Sequence, residues 1–186
     1  MSLSTQTGYR LPPPEIVALV DAPETPDVAV SPDRQWLLLM ERPSLPPIAE
    51  LAQPERRLGG LRINPRTNGP SRANPYHKLT LLNVDSGEQW DVAGLPDRPR
   101  IDHIAWSPSG RSVAFTLADE DGLRLYVAGR ETKSARRIGD LSLNAAYGDP
   151  FHWQVAAGGR DETLVCKIVP ADRGAARPSR RCPTAP

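Results

Sequence analysis

The sequence of 186 residues is poor in the residue types that build disulfide frameworks and metal sites. Its two cysteines, Cys166 and Cys182, are too few for a disulfide framework and have no CxxC spacing. The three histidines are scattered, and none has a second ligand at the spacing of a zinc site. The chain also contains no P-loop, no GxGxxG and no HExxH motif. We therefore expect no metal site and no cofactor, with Cys166 an isolated buried thiol.

Long hydrophobic runs and an excess of one charge are also absent. No segment approaches the roughly 18 apolar residues of a membrane-spanning helix, and the opening MSLSTQTGYRLPPPE lacks the features of a secretion signal. The 23 basic and 22 acidic residues are interspersed, so no broad face attracts nucleic acid or an anionic membrane. The sequence as written predicts a cytoplasmic protein that binds neither nucleic acid nor membrane. A targeting segment removed before Met1 would allow a periplasmic or plastid location instead.

Turn-forming residues, in contrast, are abundant. The chain has 21 prolines and 14 glycines, and its apolar residues occur mostly in short runs bounded by turn formers. Such runs indicate short β-strands rather than a helical bundle. One stretch, IAELAQ at 48–53, is typical of a helix, and the segment 8–23 fits either a short helix or an extended strap.

A recurring phrase organises the chain. It occurs as DVAVSPDRQWLLLMER at 27–42, as HIAWSPSGRSVAFTLA at 103–118 and in a weaker form at 151–169. Each copy reads as a strand, a tight turn and a second strand. Trp106 and Trp153 fall at matching places in two of the copies. This spacing predicts that each tryptophan packs between neighbouring sheets.

The strand order predicts an all-β fold, a partial β-propeller of about two and a half four-stranded antiparallel blades. Residues 101–139 contain four successive strands, whereas the first phrase is completed only by strands near 77–84 and 89–94. The predicted units are an N-terminal strap at 1–26, a blade at 27–94 with a long loop insertion at 43–76, a blade at 95–139, an incomplete blade at 140–170 and a flexible tail or linker at 171–186.

Several segments together resemble a known family. They are YRLPPPEIVALVDAP at 9–23, VSPDRQWLLLMERPSLPPIAELAQPE at 30–55, LRINPRTNGPSR at 61–72 and WSPSGRSVAF at 106–115. As a set they resemble the N-terminal propeller of prolyl oligopeptidase-type serine peptidases, specifically the glutamyl endopeptidase branch. The resemblance implies a propeller that gates and helps select peptide substrates. Its implied partner is an α/β-hydrolase catalytic domain in the same polypeptide.

The resemblance does not extend to catalytic residues. In this family the Ser, Asp and His triad lies in the hydrolase domain that follows the propeller, and no GxSxG nucleophile elbow occurs in these 186 residues. The nearest imitation, GPSRA at 69–73, lacks the second glycine. We therefore expect no catalytic residue here and no peptide hydrolysis by this chain alone.

One loop face carries the predicted substrate contacts. Because antiparallel strands alternate in direction, the insertion 43–76 is expected on the same face as 95–100 and 140–150. The insertion contains Arg62, Arg66 and Arg72, which we predict to present forked donors to a substrate carboxylate. The alternative is that they are exposed arginines that pair with Glu50, Glu55 or the partner domain.

A second reading of the whole chain involves no hydrolase. Blades that are not closed into a ring leave a sheet face and strand edges uncovered. The chain would then be a stand-alone protein or peptide interaction module that associates with itself through the unclosed propeller. On either reading, the unclosed propeller predicts aggregation, oligomerisation or partial disorder near 150–186 when the chain is isolated.

Overall fold

The computed structural model describes residues 11–156 and 161–174. These residues form thirteen strands and two short helices, so the all-β expectation is confirmed. In chain order the elements are α1 (Pro14–Val20), β1 (Asp27–Val30), β2 (Trp36–Glu41), α2 (Ile48–Leu51), β3 (Arg56–Leu58), β4 (Leu61–Asn64), β5 (Gly69–Pro70), β6 (Lys78–Asn83), β7 (Gln89–Asp91), β8 (Ile101–Trp106), β9 (Ser112–Ala118), β10 (Leu123–Gly129), β11 (Ser134–Arg137), β12 (Phe151–Val155) and β13 (Glu162–Cys166).

The first sheet is antiparallel and has the order β1-β2-β6-β7. Its central pair is aligned so that Leu38 faces Leu81 and Met40 faces Leu79. All four side chains are buried, as expected where alternate residues of neighbouring strands point to one face. This apolar face forms a core with the second sheet.

The second sheet is a meander of four consecutive antiparallel strands, β8 to β11. In β9, Phe115 belongs to the core shared with the first sheet, whereas Ala114 belongs to a second core. That second core includes Leu125 and Phe151, so it lies between this sheet and the hairpin β12–β13. Burial on both faces explains why β9 reads as the nearly continuous apolar run SVAFTLA.

The same tryptophan contact joins successive sheets. Trp106 Nε1 donates a hydrogen bond to the carbonyl oxygen of Ala29 in the first sheet, at 3.1 Å. Trp153 Nε1 donates to the carbonyl oxygen of Ala105 in the second sheet, also at 3.1 Å. Both rings are partly buried against the cores, so the prediction that they pack between sheets is confirmed.

The insertion at 43–76 is not a simple loop, and on this point the expectation is wrong. It contains α2 and a three-stranded antiparallel sheet, β3-β4-β5. The β3–β4 turn is Gly59-Gly60, with φ of +55° and +86°. Positive φ at both central residues defines the tight hairpin turn that matches strand twist, and glycine adopts it without steric cost. The helix expected at 48–53 is present as α2.

The N-terminal segment forms α1, so the helical option is the correct one for its described part. No residue of this helix is buried, and Leu19 and Val20 are largely exposed. No helix among residues 11–156 and 161–174 is long and apolar enough to cross a membrane.

Cys166 is half-buried and its burial raises the pKa of the thiol. Cys182 and most of the predicted tail, from residue 175 onward, lie outside the described residues, as do residues 1–10 of the predicted strap.

Candidate functional site

The three segments expected on one loop face are in contact. Arg100 Nη2 donates a hydrogen bond to Glu50 Oε2 at 2.7 Å, which ties the segment 95–100 to α2 in the insertion. The backbone N–H of Ala145 donates to the carbonyl oxygen of Asn68 at 2.8 Å. The second bond ties the segment 140–150 to the same insertion. The insertion therefore forms the centre of this face.

Glu55 is the centre of an ion-pair cluster on this face. Its carboxylate accepts from Arg57 Nε at 2.9 Å and from Ser71 Oγ at 3.0 Å. Arg62 Nη1 lies 3.2 Å from each carboxylate oxygen. Arg72 Nε lies 3.1 Å from Oε2. We call Glu55, Arg57, Arg62, Ser71 and Arg72 the Glu55 cluster.

The small sheet brings these residues together. Arg57 of β3 and Arg62 of β4 are directly opposite each other in the hairpin, because the two-residue turn fixes the register. Arg72 follows β5 with a φ of +57°, an unusual value for a residue with a side chain. This left-handed residue lies in the bend that follows the strand. Three guanidinium groups thereby converge on one carboxylate.

The cluster carries a surplus of positive charge. Three guanidinium charges face one carboxylate, so two positive charges are left unbalanced. The Glu55 side chain is 16% exposed, whereas those of Arg57, Arg62 and Arg72 are 68%, 44% and 51% exposed. Hydrogen bonds from Arg57, and then from Ser71 and Arg62, lower the pKa of Glu55 to about 2. The carboxylate is therefore ionised at neutral pH, beneath exposed guanidinium groups.

The structure brings two of the three sequence-predicted arginines together. Arg62 and Arg72 share Glu55, which is the pairing that the sequence left open as an alternative. Arg66 is exposed, and no ion pair involves it within the described ranges. Sequence reasoning missed Arg57. The Gly-Gly turn in the sequence could have revealed it. A two-residue hairpin turn at Gly59-Gly60 places Arg57, two residues before the turn, opposite Arg62, two residues after it.

Ser71, the serine of the nearest elbow-like motif, has a structural role in the cluster. Its hydroxyl donates to Glu55 and so is occupied by a carboxylate. The preceding Pro70 lies in β5, and the chain continues into a bend rather than a helix. This local structure differs from the strand-to-helix turn of a nucleophile elbow.

A groove of about 790 Å³ opens between α2 and the segment 95–100. The buried Leu79 and Val92 line it, together with prolines from both segments, including Pro47 and Pro99. Its volume is within the roughly 300–1,000 Å³ typical of small-ligand sites. Lys78 stands at this groove and pairs with Asp91 at 3.2 Å, which raises the pKa of the lysine. The groove offers an apolar surface with charged groups on its wall.

A bulge in β8 lies beside the same loops. The pairing with β9 shifts between Asp102 and Ala105, and His103 within the bulge has a φ of +46°. The His103 Nδ1 atom lies 3.7 Å from Asp149 Oδ1 at the entry to β12. The bulge therefore turns a histidine toward the next sheet instead of into the core. Within the described parts of the chain, no group of three histidine, cysteine or acidic residues is placed to hold a metal ion.

No protein-family model matches the sequence. Two curated proteins are similar to it, and both are named "Probable glutamyl endopeptidase, chloroplastic". The one from Arabidopsis thaliana is 38% identical over 185 residues, which covers 92% of this chain and 18% of the relative. The one from Oryza sativa subsp. japonica is 36% identical over 197 residues, covering 98% of this chain and 20% of the relative. The chain thus spans about a fifth of these relatives, and nearly all of it is related to a portion of proteins named as glutamyl endopeptidases.

Proposed function

We propose that this chain is the N-terminal propeller region of a serine endopeptidase of the glutamyl endopeptidase type, within the prolyl oligopeptidase family. In this proposal it gates and helps select peptide substrates for an α/β-hydrolase catalytic domain of the same polypeptide. The observation that carries the proposal is the convergence of Arg57, Arg62 and Arg72 on the loop face. It occurs in a chain related to proteins that are named for glutamyl specificity.

The stacking of the sheets supports the propeller part of the proposal. Successive sheets are joined by an equivalent tryptophan contact, as expected of repeated structural units. The outer face of the first sheet exposes Val28 and Val30, and the outer side of the last hairpin exposes Val165. In a closed ring of blades such faces are covered by further sheets.

The Glu55 cluster supports the selection of acidic side chains. Guanidinium groups bind carboxylates through paired N–H donors, and these bonds are shorter and stronger than neutral hydrogen bonds. Glu55 engages Arg57 and Arg72 through Nε, and the side chains of both arginines are more than half exposed. The proline-lined groove between α2 and the segment 95–100 adds an apolar surface to the same loop face.

A plastid location of the proposed peptidase is supported by the names of its relatives. The names of both relatives state a chloroplast location. This supports the plastid option among the locations that the sequence leaves open. Import of a fluorescent fusion of the full-length precursor into isolated chloroplasts would test it.

Kinetics of the full-length peptidase test the proposal. Replacing Arg57, Arg62 and Arg72 together by alanine is expected to raise KM for glutamyl peptides by about tenfold, because about 1.4 kcal/mol of charge-assisted binding is lost. KM for a matched peptide with a neutral residue at that position is expected to stay unchanged. Arg34→Ala is the matched control, since Arg34 is an exposed arginine in the β1–β2 turn and no ion pair involves it within the described residues. An unchanged KM for glutamyl peptides in the triple variant would contradict the proposal.

A second candidate function, a stand-alone protein or peptide interaction module, is favoured by one edge of the last hairpin. Within the described residues β13 has only β12 as a neighbour, so its other edge is open to pairing. A groove of about 620 Å³ lies between this hairpin and the second sheet, with Leu164 and Val127 among its lining residues. Self-association of the purified chain, measured by sedimentation, is expected if this edge pairs between copies. A monomer at all concentrations would argue against the module.

A further inference from the structure

Glu55 fills the point at which the three arginines of the cluster meet. Its carboxylate has the same chemistry as the side chain that the proposed substrate would present. Arg62 reaches both of its oxygens, and Arg57 and Arg72 each reach one. An incoming acidic group therefore encounters donors that are already engaged by an equivalent acidic group of the protein.

Little besides these donors holds Glu55 in place. It directly precedes β3, the edge strand of the small sheet, in which every residue is exposed. Leu58 in this strand is 69% exposed, so no apolar packing fixes the strand against a core. The arginine partners are 44–68% exposed, and ion pairs with solvent-accessible side chains hold a carboxylate only weakly. The Glu55 carboxylate is therefore able to leave the arginines when another carboxylate takes them.

We propose that Glu55 is a resident competitor: the carboxylate of an acidic ligand takes over the hydrogen bonds of Arg57, Arg62 and Arg72, and Glu55 turns into solvent. This inference rests on the proposed function, because it requires that the arginines bind acidic side chains. The exchange forms as many ion pairs as it breaks, and no proton or covalent bond is transferred.

The competition makes Glu55 a determinant of specificity. A glutamyl side chain replaces the lost negative charge at the arginines and keeps their donors satisfied. A glutaminyl side chain has a similar shape but no charge, so it leaves Glu55 in place. The same residue therefore weakens binding of every acidic ligand and discriminates against neutral ligands of the same size.

The test is binding of two tripeptides to the whole chain, acetyl-Ala-Glu-Ala-amide and its glutamine counterpart, followed by NMR of the arginine Nε–H groups. Glu55→Gln is expected to bind the glutamyl peptide about threefold to tenfold more tightly than the wild type, the effect of removing one partly exposed competing charge. Glu88→Gln is the matched control, because Glu88 is an exposed glutamate in the β6–β7 turn. This control is expected to bind like the wild type.

A second measurement, the pKa of Glu55, uses only the wild-type chain and so does not require that a variant folds. Hydrogen bonds from Arg57, Ser71 and Arg62 hold the pKa of Glu55 at about 2, against an ordinary value of 4.5. Saturation of the wild-type chain with the glutamyl peptide is expected to return this pKa toward the ordinary value. A merely structural Glu55 would keep its low pKa in the complex.

The outcomes separate this inference from the proposed function. If Arg62→Ala with Arg72→Ala abolishes binding but Glu55→Gln binds no more tightly and the Glu55 pKa stays low, the competitor role is overturned and the arginine site stands. If the arginine variant binds the glutamyl peptide as well as the wild type, the proposed recognition of acidic groups fails, and the inference fails with it.

Discussion

Trp153 donates its indole N–H to the carbonyl oxygen of Ala105, the residue that directly precedes Trp106. Trp106 in turn donates to the carbonyl oxygen of Ala29. Ala29 and Ala105 occupy equivalent positions, each two residues before the Ser-Pro turn of its own sheet. The donor in one contact is therefore the neighbour of the acceptor in the next. In both the first and the second sheet, the carbonyl two residues before the Ser-Pro turn accepts the indole N–H of the following sheet.

Removing one of these indole donors should loosen the sheet interface. Trp106→Phe is expected to lower the free energy of unfolding by about 1 kcal/mol, because an aromatic ring remains but the indole hydrogen bond to the carbonyl of Ala29 is lost. Urea denaturation measures this change. Trp36→Phe is the control, since Trp36 packs on the same core but no hydrogen bond of its indole is observed in the described chain. Equal losses in both variants would contradict a role for the hydrogen bond.

The Glu50–Arg100 pair should anchor the insertion. Glu50 is only 6% exposed, so Glu50→Gln leaves the Arg100 charge half-buried without a counter-charge. We expect a loss of about 2 kcal/mol in unfolding free energy and faster proteolysis within 43–76. Replacing both residues by methionine should recover part of the loss, because no unpaired charge remains. Proteolysis at the wild-type rate in Glu50→Gln would show that other contacts hold the insertion.

The Gly59-Gly60 turn should set the geometry of the arginines. A Cβ atom at Gly60 would touch nothing within 4 Å, so only its φ of +86° opposes a side chain. Gly60→Ala is therefore expected to cost about 1 kcal/mol and to raise the amide exchange rates of β3 and β4. Gly59→Asn is the control, because asparagine tolerates the left-handed conformation found there. Unchanged exchange in Gly60→Ala would mean that the turn does not hold the hairpin.

Acid should weaken a contact between the first two sheets. Hydrogen bonds from the Ser31 hydroxyl, Arg130 and the Gln35 N–H lower the pKa of Asp33 from 3.8 to about 2. A folded-state pKa below the unfolded one means that the stabilisation is complete above about pH 4 and is lost as the pH falls to 2. Asp33→Asn should thus be less stable than the wild type by about 0.5–1 kcal/mol at pH 6. The difference should shrink as the pH falls toward 2 and disappear below it.

Urea denaturation of both proteins at several pH values measures this difference. A stability difference that is the same at pH 6 and pH 2 would contradict the role of the Asp33 charge. Asp33 accepts from the Ser31 hydroxyl at 2.6 Å within its own turn, and it also lies 2.6 Å from Arg130 Nη1. The Arg130 pair joins the β1–β2 turn to the end of β10, so protonation of Asp33 weakens a contact between the two sheets as well as the turn.

The repeated phrases made the large sheets predictable. In the Ser107–Gly110 turn the N–H of Gly110 donates to the carbonyl of Ser107, and Arg34 makes the same bond to Ser31. Gly110 has a φ of +70° and Arg34 a φ of +60°, so an arginine adopts the backbone that glycine provides in the other copy. Pro at the second turn position and alternating apolar strands on both sides carry enough local information to fix these hairpins.

The small sheet was not predictable in the same way. Its strands have two to four residues, and those of β3 are all exposed, so no apolar alternation marks them. They are held by the Gly-Gly turn and by polar contacts such as the hydrogen bond that the N–H of Arg66 donates to Asn64 Oδ1. For this reason the sequence indicated that arginines gather in the insertion but not that Arg57 replaces Arg66 in the cluster.

The indole contacts also have a direction along the chain. Each donor follows its acceptor, by 77 residues for Trp106 and by 48 residues for Trp153. During synthesis the acceptor carbonyl therefore leaves the ribosome well before its donor, in the order in which N-terminal units fold first. Each sheet can act as a template for the next, and assembly of the array can proceed from the N-terminus while the remainder of the chain is still being made.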